Sequence, residues 1–137
     1  LDPDDLGAKQ ELAASLIDIG EFAEAIRHLK EVAKKDKDNV DVHVDLGIAF
    51  AAQGFYEEAE EALTRAIAID PNDVLACYHL AVLYASWSRA DEAVPHLEHA
   101  LSLEPERVRA WVQNEPAFDA IRRDPRLSTL FERPAFE

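Results

Sequence analysis

Methionine is absent from the 137 residues, and cysteine occurs once, at Cys77. A single thiol excludes an internal disulfide and says nothing of compartment. The missing initiator points to a processed chain or to a piece of a longer one. Glycine is scarce at four residues, and alanine is plentiful, a balance that favours helix. No apolar run reaches the length that spans a bilayer, and no basic-then-apolar stretch resembles a secretory leader. The expectation is a soluble protein, with the cytoplasm favoured and no direct membrane insertion.

Positive charge is also in short supply. Lys and Arg number 14 against 28 Asp and Glu, for a net charge of −14. Nucleic acid is excluded, because its affinity comes from cations that displace counterions off phosphate. The five lysines all fall within the first 37 residues, and residues 38–106 carry only Arg65 and Arg89 as bases. Such an acidic middle repels anionic surfaces and steers cationic partners inward.

What the chain does contain is a repeat of 34 residues. Leu12-Ala13, Leu46-Gly47 and Leu80-Ala81 superpose without gaps, as do Gly20, Gly54 and Ser88. Ala25, Ala59 and Ala93 align likewise, followed by Leu29, Leu63 and Leu97. A fixed period held through three copies is the signature of stacked supersecondary units. Within the second copy, Val42, Leu46, Ala49 and Phe50 recur at helical spacing until Gly54 breaks the pattern. A second amphipathic stretch carries Ala59, Leu63, Ala66 and Ile67, and stops at Asp70-Pro71. Asn72 or Asp73 is then placed to cap the next helix. These residues read as core and turn.

Together, Leu46-Gly47, Phe50, Gly54-Phe55-Tyr56, Ala59, Leu63, Ala66 and Asp70-Pro71 resemble the tetratricopeptide repeat, over residues 6–107. The third copy departs at Ala81, Ser88 and Ala90, and the first has Lys37 where a proline is usual. Pro95 falls inside a helix and should bend it. The resemblance implies an all-α fold: a right-handed superhelical solenoid of three antiparallel helix pairs, with first helices lining the concave side. The expected divisions are 1–5, a remnant of a preceding repeat or an N-terminal turn; repeats 6–39, 40–73 and 74–107; and a helical cap, 108–137. Leu1-Asp2-Pro3-Asp4-Asp5 matches the tail of a repeat, which suggests the C-terminal part of a longer array.

In the cap, Val108–Asn114 should open a fourth first-helix, and Glu115-Pro116 and Asp124-Pro125 two short helices. Phe118, Ile121, Leu127, Leu130 and Phe131 would cover the last repeat. Arg109, Arg122, Arg123, Arg126 and Arg133 would face water. The stretch from Ala117 to Leu127 also looks like tails that follow such repeats in bacterial proteins.

Residues turned from the core stripe towards the concave groove are Gln10, Glu11, Ala14 and Asp18 in the first repeat. The second contributes Asp41, Val44, Asp45, Ile48 and Ala52. The third contributes Leu75, Tyr78, His79, Val82 and Ser86, and the fourth first-helix Arg109, Val112 and Gln113. Glu11, Asp18, Asp41 and Asp45 make one half acidic, while Val44, Ile48, Tyr78 and Val82 form an apolar strip suited to a partner. The known carboxylate clamp of the family uses Lys and Asn, whereas the matching positions here hold Gln10, Ala14, Asp45, Leu75 and His79. That mode is not expected.

Catalysis has no constellation. His96 and His99 are three apart on a helix, but no third ligand type joins them. Cys77 reads as a small hydrophobe, with His79 turned elsewhere. His79 faces the groove, where it could read a carboxylate or sense pH. No cofactor, metal or enzymatic activity is expected. The sequence points to a protein-interaction module that binds an apolar segment carrying Lys or Arg. The alternatives are a self-assembling scaffold joined through exposed apolar surface, and a regulatory appendage of a larger enzyme.

Overall fold

Among the described helices, the first of each repeat begins at a side-chain cap, Asp5, Asn39 or Asp73. The computed structural model describes residues 5–127, so Leu1, Leu130, Phe131 and Arg133 lie outside the described residues. The chain divides into two compact units, one ending at Pro71 and the other starting at Asn72.

The first unit holds four helices: α1 (Leu6–Asp18), α2 (Phe22–Lys35), α3 (Val40–Ala52) and α4 (Tyr56–Ile69). The Asp5 side chain accepts from the Ala8 N–H at 3.0 Å, and Asn39 Oδ1 accepts from the Val42 N–H at 3.2 Å. Each satisfies a donor that the first helical turn leaves free. Gly20 and Gly54 end α1 and α3 with φ of 82° and 80°. That left-handed geometry turns the next N–H back onto the helix, Glu21 to the Leu16 carbonyl at 2.8 Å and Phe55 to that of Phe50 at 2.9 Å.

α1 packs on α2, α2 on α3, and α3 on α4. Between them Leu16, Ile26, Leu29, Val32, Val42 and Leu46 form one apolar cluster, completed by Ala13, Ala25, Ala49 and Ala62. Gly47 lets α3 approach α4 closely, since a Cβ there would overlap the fully buried Leu63. Alanine suffices at the matching positions 13 and 81, both fully buried.

The second unit contains α5 (Val74–Ser86), α6 (Ala90–Leu103), α7 (Pro105–Gln113) and a 3-10 turn at Pro116–Phe118. Asp73, not Asn72, caps α5, accepting from the Leu75 and Ala76 N–H groups at 3.0 and 3.4 Å. Ser88 occupies the glycine position with φ of 59°, and Arg89 N–H still reaches the Tyr84 carbonyl at 2.8 Å. The Arg89 guanidinium lies over the rings of Tyr84 and Trp87, 4.9 and 4.3 Å from their centroids, and pairs with Glu92 at 2.6 Å. These contacts anchor a turn that lacks its glycine. α6 continues across Pro95, whose ring faces solvent; water can serve the carbonyl that loses its partner.

The cap differs from expectation in two respects. α7 starts at Pro105, three residues before Val108. Position 107 is arginine where the earlier repeats carry the capping Asp5, Asn39 and Asp73, so the helix starts instead at the proline, with φ already helical. Glu115-Pro116 opens a short 3-10 helix, as expected, with the Glu115 side chain accepting from the Ala117 N–H at 3.1 Å. Arg122 does not face water freely. Its Nη2 donates to the carbonyls of Val112 at 2.7 Å and Glu115 at 3.3 Å, while Nε bonds Asp119. It closes the end of α7. Phe118, Ile121 and Leu127 are buried, as the apolar pattern of the cap anticipates.

Candidate functional site

The candidate groove residues fall into two groups, one in each unit. In the first unit they come from α1 and α3. Gln10 is engaged internally, its Oε1 accepting from Asn39 Nδ2 at 3.0 Å. Glu11, Ala14, Asp18, Asp41 and Ala52 are exposed, and Ile48 is half-buried. Val44 is only 3 % exposed, so it does not belong to an open apolar strip. As the middle helix of its unit, α3 meets α1, α2 and α4, and even the margin of its inward stripe loses water.

Asp45 carries the electrostatics of this face. Its carboxyl is pushed up to about 6, first by burial and then by the neighbouring charges of Asp41 and Asp18. Two residues of α3 and one of α1 therefore act on one another through space. Among the described residues no cation offsets the charge on Asp45. A carboxylate held in a poorly solvated position beside like charges gains from any incoming ammonium or guanidinium.

In the second unit, Leu75, Tyr78 and His79 of α5 face Ala110, Trp111 and Asn114 across a cavity of about 460 Å³. Tyr78 is 6 % exposed. Its ring contacts Trp111 and Phe118, with centroids at 5.0 and 5.8 Å. The cap folds these two aromatics back over α5, which is why Tyr78 is not the open surface its spacing suggests. Its hydroxyl is pushed up to about 12 by burial and Glu115, so it remains a neutral donor. His79 meets Tyr78 edge-on at 5.3 Å, and burial lowers it to about 4. It is uncharged near neutral pH, so it offers a carboxylate a hydrogen bond but no charge and does not titrate in the physiological range.

Val82 is half-buried, and Ser86 and Gln113 are exposed. Val112 is fully buried and belongs to the core. Arg109 is half-buried, and its Nε is shielded from solvent with no hydrogen-bond partner among the described residues. Sequence spacing missed Ala110, Trp111 and Asn114. The signal was available at Trp111, a large indole in the frame position of Cys77 that needs more room than the repeat provides.

Two further histidines have local partners. His96 stacks on Tyr84 at 5.7 Å, while His99 Nε2 lies 3.2 Å from Asn72 Oδ1. Among the described residues no three His, Cys, Asp or Glu side chains converge as metal ligands, and no helix is long and apolar enough to cross a membrane.

The repeat geometry carries over to known proteins. Models of the tetratricopeptide repeat match residues 16–76 and 74–107. The chain belongs to the tetratricopeptide repeat family, and is a protein-interaction module of that class. It is similar to the crystal structure of MamA, a bacterial member of the family. The two are 27 % identical with a TM-score of 0.79, over 95 % of this chain and 76 % of that one. Another MamA structure, 26 % identical with a TM-score of 0.67, is covered over 57 % of its length. An O-GlcNAc transferase from Thermobaculum terrenum is 26 % identical with a TM-score of 0.75, over 82 % of this chain but 22 % of its own. A comparison with curated proteins gives no match.

Proposed function

We propose that the first unit binds an apolar protein segment bearing Lys or Arg, laid against the Asp18, Asp41 and Asp45 face. The chain acts without catalysis of its own. The half-buried Asp45 carboxylate, raised to about 6 beside two like charges and with no offsetting cation among the described residues, is the observation that carries this reading. A bound cation would relieve both the repulsion and the poor solvation, so free energy lost in the free protein is recovered on binding. Ile48 offers apolar contact on the same helix. In the second unit, the cavity between Leu75, Tyr78 and Trp111 suits an uncharged side chain, because neutral His79 and the Tyr78 hydroxyl offer hydrogen bonds but no charge.

The test is anisotropy of a labelled Leu/Lys peptide with the full chain. Asp41→Lys with Asp45→Lys should weaken binding by at least about tenfold, more at low salt. Affinity unchanged by that pair would sink the reading.

A second reading is favoured by exposed apolar side chains. Leu12 and Ile19, seven residues apart on or just past α1, are 46 % and 72 % exposed, whereas Leu46 and Leu80, at the position of Leu12, are buried. This surface would join copies of the chain or a neighbouring helix. Light scattering against concentration separates the two: a monomer at all concentrations favours the peptide-binding reading.

A further inference from the structure

A second cavity lies in the first unit, on the opposite side of α3 from the carboxylates. Asp41, Asp45 and Ile48 project from one side of α3, whereas His43, Leu46 and Phe50 fall on the reverse side at helical spacing. These three help to line a cavity of about 700 Å³ that α2 and α4 flank. The floor is Leu46, Phe50 and Ala62. The lining residues of α4 run from Glu58 to Ala68, which at the helical rise is about 15 Å of groove. That length takes a short helix, not merely one side chain.

The two walls differ in charge. On the α2 side stand Lys30 and Lys37, exposed in a chain that is otherwise strongly acidic. Neither has a carboxylate partner among the described residues. Lys30 Nζ instead rests 5.6 Å from the Phe50 ring centroid, a weak contact that leaves the ammonium free to turn to a carboxylate and uncover the ring. On the α4 side stand Glu58 and Glu61, three apart and so on one helix face, with Arg65 a turn further on, its own charge met by Asp38 at 3.6 Å. His43 Nε2 closes one end, 2.8 Å from the Lys37 carbonyl oxygen.

We infer that this groove is a docking site for a short amphipathic helix of a partner protein. Its apolar stripe seats on Leu46 and Phe50, its acidic edge meets Lys30 and Lys37, and its basic edge meets Glu58 and Glu61. The site is independent of the carboxylate face, so the chain can engage two segments of different charge character.

The experiment uses the full chain and a labelled, stapled peptide of about 14 residues, with leucines on one stripe, glutamates on one edge and arginines on the other. Binding is followed by anisotropy and by amide chemical shifts. The expected result is saturable binding that moves the amides of Leu46, Phe50 and Ala62. Lys30→Glu with Lys37→Glu, both at exposed positions, should weaken it about tenfold, whereas Asp41→Lys with Asp45→Lys should leave it within twofold. The double lysine variant should in turn bind a peptide with arginines on both edges more tightly than the unaltered chain does. Three results would each overturn the proposal. They are no binding up to about 1 mM, shifts confined to the Asp41 and Asp45 face, and indifference to the lysine reversal.

Discussion

At the scale of single residues, Asp45 and Ser88 each hold a conformation or charge that their surroundings disfavour, for different reasons. The Asp45 carboxyl titrates near 6 in the folded chain against 3.8 for the ordinary group. The folded state then holds the proton more tightly than the unfolded one, so stability falls as pH rises between those values. The penalty is complete above about 6 and disappears towards 4. Screening at a partly exposed position reduces it to about 1 kcal/mol. Asp45→Asn should therefore stabilise the free protein by about that amount at pH 7.5 and flatten this part of the pH profile, as read by urea unfolding. The same substitution should weaken a cationic peptide, a trade that a purely structural aspartate would not show. Ser88 is a separate matter. Its φ of 59° is the left-handed region that glycine enters freely. Ser88→Gly should raise stability by about 0.5–1 kcal/mol in thermal or urea melts, less if the Arg89 contacts with Tyr84 and Trp87 have already absorbed the strain.

At the scale of helices, most boundaries were legible because each is set by one local group. Asp5, Asn39 and Asp73 mark three helix starts at the 34-residue period, and Gly20, Gly54 and Ser88 mark three ends. Where the cap position changes to Arg107, the start moves to Pro105, a shift that follows from the same rule applied in reverse. What spacing could not supply is coverage by elements distant in sequence. Val44, Tyr78 and Val112 lie at the margin of inward stripes, and only the packed helices decide that they are buried. Trp111 and Phe118 close over Tyr78 from more than thirty residues away, beyond any periodicity. Arg122 is the same kind of case. An arginine on a polar-looking turn reads as surface, yet it satisfies carbonyls at the end of α7. Arg122→Ala should leave those acceptors short of a donor and cost about 1–3 kcal/mol. The loss should concentrate in faster amide exchange at Asn114 to Phe118, with α5 amides much less affected.

At the scale of the whole chain, charge of one sign sets how partners arrive before any contact sets how long they stay. A net charge of −14, with Lys confined to the first 37 residues, gives approaching cationic segments a long-range attraction that salt screens. The Asp18, Asp41 and Asp45 cluster acts only at short range, through a carboxylate that water solvates poorly. The two contributions separate kinetically. In stopped-flow mixing with a Leu/Lys peptide, the association rate should fall about tenfold between roughly 20 and 300 mM salt, as the Debye length shrinks from about 20 to 6 Å. Dissociation should change little over that range. Asp45→Asn should do the opposite, accelerating dissociation several-fold while altering association only slightly, because it removes one charge of many but the one buried at the contact. An association rate independent of salt would deny the acidic surface any part in recruitment. Equal effects of Asp45→Asn on both rates would place that carboxylate outside the contact and shift the binding face elsewhere on the chain.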